Sequence, residues 1–222
     1  MTELLPLDRP PFPVEHELEG WELLWARLET ATARPESIAE LRSEAGLIAR
    51  ERFAADGLAS HPVIAELRRL FRAAGTDPTR YRPSSEALLR RLLKGDELPA
   101  ISPLVDLNNC LSARLGVPCC VMEERALEPP FVLRAGAPGE EYESLKGPFR
   151  LEGRPLLVDA RGPCDAPITG SDRVKVTGAT VRAWLVGYLP ASAVRAETAA
   201  AELHDLLDAA PVARCELVAA SR

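Results

Sequence analysis

The sequence predicts an α+β fold. Apolar stripes of helical period crowd the chain before Gly116, and short strands separated by proline and glycine fill it afterwards. The two kinds of segment do not alternate as they would in a doubly wound sheet. With 222 residues, 46% of them apolar and 27% charged, the chain can bury a sizeable core. The expected organisation is one domain over 1–222, with an arm and helical part at 1–57 and the core at 58–222.

The first 13 residues are rich in proline and read as an arm packed on the surface. Val14 to Glu29 reads equally as an amphipathic helix or as strands around Gly20. Pro35 then opens a helix that presents Ile38, Leu41, Ala45 and Ile48 on one face, with Gly57 at its end. A second helix starts near Pro62, turns Ile64, Leu67, Leu70 and Phe71 inward and stops before Gly75. In the stretch RYRPSSEALLRRLLKG, Leu88, Leu89, Leu92 and Leu93 form a stripe, and Gly95 follows the end. Arg90, Arg91 and Lys94 suit the negative end of that helix dipole. Ser102 to Gly116 encloses another helix. The segments PCCVM, FVLRA, LLVDA, DRVKVT and VRAWLVGYL read as strands, and a helix AETAAAELHDLLDAA and a strand ARCELVA close the chain.

Composition excludes several classes of function. A net charge of −6 does not suit a generic nucleic-acid coater, because such binding rests on Lys and Arg neutralising phosphates, although a local basic patch still permits specific RNA binding. The five cysteines are odd in number and lack metal-ligand spacing, which reads as reduced thiols in a cytoplasm. No stretch has the apolar length of a membrane span, and the N-terminus is unlike a signal peptide. There is no glycine-rich phosphate loop and no GxSxG, so neither a cofactor nor a metal is expected. His16, His61 and His204 lie apart from the polar clusters and read as surface or capping residues. Cys119 and Cys120, adjacent in a strand, are expected on opposite faces.

Two polar clusters remain. Arg80, Arg82, Ser84, Ser85 and Glu86 precede or open a helix, and Arg80 to Lys94 holds five basic residues against one acidic. This is either an anion site at a helix N-terminus or a capped helix with solvated arginines. Asp106, Asn108 and Asn109 sit in an apolar helix, where their side chains compete with backbone bonds. They can cap a turn, or they can orient a water and hold a ribose hydroxyl.

The stretches RYRPSSEALLRRLLKG, ISPLVDLNNCLSARLGVP, LRAGAPGEEYESLKG and SDRVKVTGATVRAWLVGYLP, taken in order, resemble the tRNA-binding editing domain of the phenylalanyl-tRNA synthetase beta subunit. The likeness is strongest to freestanding relatives and runs from about Leu58 to Leu217. It implies a β-sandwich of unusual topology flanked by helices, with Gly20 to Glu29 as a strand. It also implies an aminoacyl-tRNA deacylase that acts on the acceptor end of a mischarged tRNA, without DNA or membrane partners. Asn108 and Asn109 take the places of a Thr-Asn pair and become the catalytic candidates. Ser84, Ser85, Glu86, Cys120, Gly170, Ser171 and Val186 become the candidate pocket, and Arg80, Arg82, Arg173 and Lys175 the candidate tRNA contacts. Cys120 stands where the family has a pocket histidine and Val186 where it has a glutamate that reads a tyrosyl hydroxyl. The resemblance therefore implies a substrate side chain without that hydroxyl, such as an aliphatic one.

Overall fold

A computed structural model describes residues 7–54 and 57–222. The core is a pair of sheets. Strand β2 (Trp21–Thr30) is the central element of the first, flanked by β10 (Arg182–Pro190) and β11 (Ala213–Ser221), and β3 (Cys119–Glu123) forms the edge beyond β10. All pairings in this sheet are antiparallel. The second sheet runs in the order β1 (Val14–His16), β4 (Phe131–Ala135), β7 (Pro155–Asp159), β8 (Gly162–Ala166) and β9 (Thr169–Gly170). Only β1 and β4 pair in parallel there. A hairpin, β5 (Glu141–Ser144) and β6 (Gly147–Arg150), stands beside it.

Strand β2 resolves the helix-or-strand ambiguity in favour of strands, with Gly20 at φ +82° in the turn that enters it. Residues Trp21 to Ala26 are buried in succession, as expected for a strand covered on both sides. One face carries Trp25, which meets Phe131 of the second sheet at a centroid separation of 4.9 Å. Phe12 of the arm packs edge-on against Trp25, Phe131 and Trp184, and the Asp8 carbonyl accepts from Ala220 N–H on the edge strand β11. The described part of the arm therefore seals the sandwich and covers an edge. Met1 to Pro6 of the expected arm lie outside the described residues.

Among the described residues, five helices surround the sheets: α1 (Pro35–Phe53), α2 (Pro62–Ala73), α3 (Ser84–Leu92), α4 (Pro103–Leu115) and α5 (Ala196–Ala209). Helix α1 ends at Phe53, earlier than the expected stop at Gly57; Ala55 and Asp56 lie outside the described residues, and Gly57 opens a short 3-10 turn. Its buried face is Ile38, Leu41, Ala45 and Ala49, with Ile48 half-buried at the margin. Helix α2 ends in a Schellman turn, in which Thr76 N–H reaches the Phe71 carbonyl at 2.8 Å and Gly75 takes φ +97°.

One expectation about strands is corrected, and four short strands went unread. Asp172–Val174 forms a 3-10 turn, because the Ser171 hydroxyl accepts from Arg173 N–H and closes the chain on itself. The β5–β6 hairpin and strands β8 and β9 carry too little apolar alternation to be seen in the sequence.

Gly116 follows α4 at φ +76°, and a Cβ there would lie 2.6 Å from the buried Phe53 ring. Gly116→Ala is expected to destabilise the protein by about 2 kcal/mol, from left-handed strain and the clash together. Chemical denaturation measures this directly.

Candidate functional site

A cavity of about 390 Å³ opens between α3, α4, the start of β3 and the tip of the hairpin. Ser84 enters from the first turn of α3, Asn109 and Ser112 from α4, and Cys119 from β3. Ile168 closes one side, and Arg91 and Lys146 bring positive charge to the wall. The helix α4 places Asn109 there because Leu104, Leu107 and Leu111 bury the opposite side of the helix. The neighbouring Asn108 turns inward, donates from Nδ2 to the Cys119 carbonyl at 3.3 Å and leaves its buried Oδ1 without a protein partner. Asp106 is a structural residue: it pairs with Arg42 at 2.7 Å and accepts from Ile101 N–H at 2.8 Å.

The remaining expected pocket residues separate. Glu86 is fully buried below α3, gripped by Arg68 at 2.7 and 2.8 Å and by Arg90 at 2.9 Å. Burial alone pushes its carboxyl upward, and the bonds from Arg68 and Arg90 outweigh that and hold it below the usual range. Glu86 thus ties α3 to α2 and does not line this cavity. Ser85 is buried beside it, its hydroxyl without a protein partner. Ser171 is buried and caps the 3-10 turn.

Cys120, Val186 and Gly170 meet on the other face of β3. Val186 pairs with Cys120 and Gly187 with Cys119, so the two cysteines face opposite ways, as alternation requires. The space that a Gly170 side chain would take touches the Cys120 thiol. This second group contains a residue that sequence reasoning missed. Asp165 of β8 is fully buried, accepts from the Tyr188 hydroxyl at 2.6 Å through Oδ2, and leaves Oδ1 without a partner. Burial raises its pKa to about 7, against the pull of the bond from Tyr188 and of the nearby Cys120 thiol. Burial and the neighbouring Asp165 likewise push the Cys120 thiol well up, so it is a protonated thiol near neutral pH. The sequence signal for Asp165 was an acid amid apolar residues in CDAPI, and only the pairing with a strand 23 residues on gives it a partner.

The expected tRNA contacts also divide. Arg80 is exposed and lies over the Tyr81 ring, and Arg82 stands 3.9 Å from Glu86 with 42% of its side chain exposed. Lys175 is exposed and bridges Asp172. The Arg173 guanidinium donates to the Ala126 carbonyl at 2.8 Å and to buried Asp159 at 2.9 Å, stapling the loop after β9 to the end of β7. Arg91 and Lys146, which line the cavity, make no ion pair with a described residue.

Among the described residues, no group of three or more His, Cys, Asp or Glu is placed to hold a metal, and no helix is long and apolar enough to cross a membrane. The histidines stay apart from the cavity. His16 bonds Ser221, and the His61 ring stacks on Phe53 at 4.4 Å.

Two stacked sheets under a helical cover, with a polar cavity at the edge strand, define an α+β domain with a ligand-sized opening. The chain belongs to the B3/4 domain family, whose model matches residues 66–207. Among solved structures, an N-terminal fragment of the phenylalanyl-tRNA synthetase beta-subunit from Pyrococcus horikoshii is similar at 15% identity and a TM-score of 0.42. That match covers 90% of this chain and 51% of the fragment, so the chain spans about half its length. No curated protein matches the chain.

Two outcomes follow for stability. Glu86→Ala leaves Arg68 facing a void and is expected to cost about 3 kcal/mol in denaturant unfolding. For Asp165 the folded state holds a proton that the unfolded chain releases above the ordinary 3.8, so its contribution is fully present below pH 4 and is lost as pH rises toward 7. Wild type should therefore lose up to about 4 kcal/mol relative to Asp165→Asn between pH 4 and pH 8, measured from paired unfolding curves.

Proposed function

We propose that this domain is a freestanding aminoacyl-tRNA deacylase that removes a wrongly attached amino acid in trans. The observation that carries this reading is the cavity in which Asn109, Ser84 and Ser112 meet two cations, Arg91 and Lys146. The polar groups suit a terminal ribose and its ester, and the cations suit the phosphates that precede it. Family membership and the resemblance of the sequence to the editing domain of the synthetase beta subunit support the same reading.

The chemistry asks little of the protein, because an aminoacyl ester is already activated. Water attacks the ester carbonyl carbon, the acyl C–O bond breaks, and the ribose oxygen leaves with a proton. Free amino acid and uncharged tRNA result. Asn109 holds the ribose or the water in line, and the vicinal ribose hydroxyl assists as a proton carrier. Asn108 acts from behind, fixing the Cys119 carbonyl and with it the wall of the cavity. A metal or organic cofactor has no role in this scheme. The cytoplasm, where charged tRNAs are, is the proposed location.

A second reading is a non-catalytic aminoacyl-tRNA-binding module of the same fold. The protonated thiol at Cys120, where the family has a histidine, favours it.

Purified protein incubated with a panel of correctly and incorrectly charged tRNAs decides between them. Hydrolysis of a mismatched pair, reduced at least about tenfold in Asn109→Ala, supports the deacylase. Stable binding with no turnover across the panel supports the binding module. In either case Lys146→Ala and Arg91→Ala are each expected to weaken tRNA association and to lower the log–log salt slope by about 0.7 to 0.9. An unchanged slope removes these two residues from the interface.

A further inference from the structure

We infer that Arg154 and Arg80, which share the ring of Tyr81, form an anion site that takes a phosphate group. The inference goes beyond the deacylase reading, because it rests on residues that do not line the Asn109 cavity.

The first observation is a buried cation without a counter-ion. Arg154 is 7% exposed, and no carboxylate of the described residues pairs with it. The half-buried arginines are placed differently: Arg42 holds Asp106, Arg68 holds Glu86 and Arg173 holds Asp159. Taking a cation out of water is costly unless an anion and hydrogen-bond acceptors meet it. Arg154 has little of either. Nη1 donates to the Glu152 carbonyl at 3.2 Å, and the buried Nε has no partner. Its other support is aromatic, with the Tyr81 centroid 3.8 Å and the Phe149 centroid 5.2 Å from the guanidinium carbon. The rings offset part of the lost hydration and leave the positive charge in place.

The second observation is that a further cation lies on the same ring. The Arg80 guanidinium carbon is 5.2 Å from the Tyr81 centroid, and Arg80 is exposed and makes no ion pair with a described residue. The carboxylates of this loop are engaged elsewhere. Asp77 accepts from Thr79 N–H at 2.8 Å, and Glu86 is held by Arg68 and Arg90. Two neighbouring cations therefore lack an anion between them. A carboxylate, with two oxygens and one charge, satisfies one guanidinium fork. A phosphate offers more oxygens and up to two charges, which suits a pair of forks.

The position suits two sources of that group. Tyr81 and Phe149 meet at 6.3 Å, so the loop before α3 lies along β6. The same two elements lead to the cavity, through Ser84 at the start of α3 and Lys146 just before β6. The phosphate can belong to a nucleic-acid strand that continues from the cavity, or to a free phosphate or phosphorylated small molecule.

The test is an NMR titration of the full chain with inorganic phosphate, replacing chloride at constant ionic strength. It is read at the Arg154 Nε–H resonance and, in the variants, at Tyr81 N–H. A saturable shift is expected. Arg80→Ala, at an exposed position, should weaken phosphate binding about threefold or more. Arg154→Lys, which keeps the charge and loses the fork, should abolish saturation. A shift that grows without saturating, or saturable binding that both substitutions leave unchanged, overturns the proposal. Two further probes separate the sources, each keeping the site. A tRNA without an amino acid that displaces phosphate from this resonance assigns the site to a nucleic-acid backbone. Displacement by adenosine 5′-monophosphate and not by tRNA assigns it to a small phosphorylated molecule. Hydrolysis of charged tRNA with no saturable phosphate shift would overturn this site alone. Saturable phosphate binding in a protein that hydrolyses no charged tRNA would keep the site and remove the deacylase reading.

Discussion

The site depends on the register of one edge strand. Strand β3 pairs with β10 so that Cys120 stands opposite Val186 and Cys119 opposite Gly187. A slip of one residue would exchange the two cysteines between faces, moving a thiol from the intersheet layer to the cavity. The register is held from both sides. Met122, paired with Trp184, is fully buried, and the Asn108 side chain bonds the Cys119 carbonyl from α4. The helix that supplies the polar face of the cavity thus also fixes the strand that forms its wall. Because β3 is the last strand of its sheet, the hairpin tip and β9 can approach it, and that approach brings Gly170 against Cys120.

Electrostatics follow the same division between structure and surface. Much of the cationic charge is committed internally. Arg68 and Arg90 neutralise Glu86, Arg42 neutralises Asp106, and Arg173 neutralises Asp159. An acidic chain can still present a positive wall, since charge counted over the sequence says little about charge facing a cavity. Arg91 and Lys146 come from elements far apart in sequence and meet only through the fold.

The helices and the long strands β10 and β11 were legible because each has its own apolar period and its own stop, whereas the pattern of β2 left helix and strand open. Helix α4, with Ser102 before it and a left-handed Gly116 after it, is the clearest case. Two opposite faces for the adjacent cysteines followed from strand geometry alone. The site was legible only in part. Asn109 and Ser84 do share a cavity, but Glu86 and Arg173 proved to be ion-pair partners, because a charged residue near a motif looks the same whether it faces solvent or a buried counter-ion. Asp165 was invisible for the converse reason: its environment is built by Tyr188 and Cys120, which lie on other strands. Strand β2, the central strand of the first sheet, comes from the N-terminal side of residue 57.

The most direct test of this account is a crystal structure of the protein with a non-hydrolysable 3′-aminoacylamino-3′-deoxyadenosine bound. The account predicts the ribose between Asn109 and Ser84 and the 5′ side directed toward Arg91 and Lys146. An analogue seated elsewhere, or one in the cavity with its ribose away from Asn109, would contradict it.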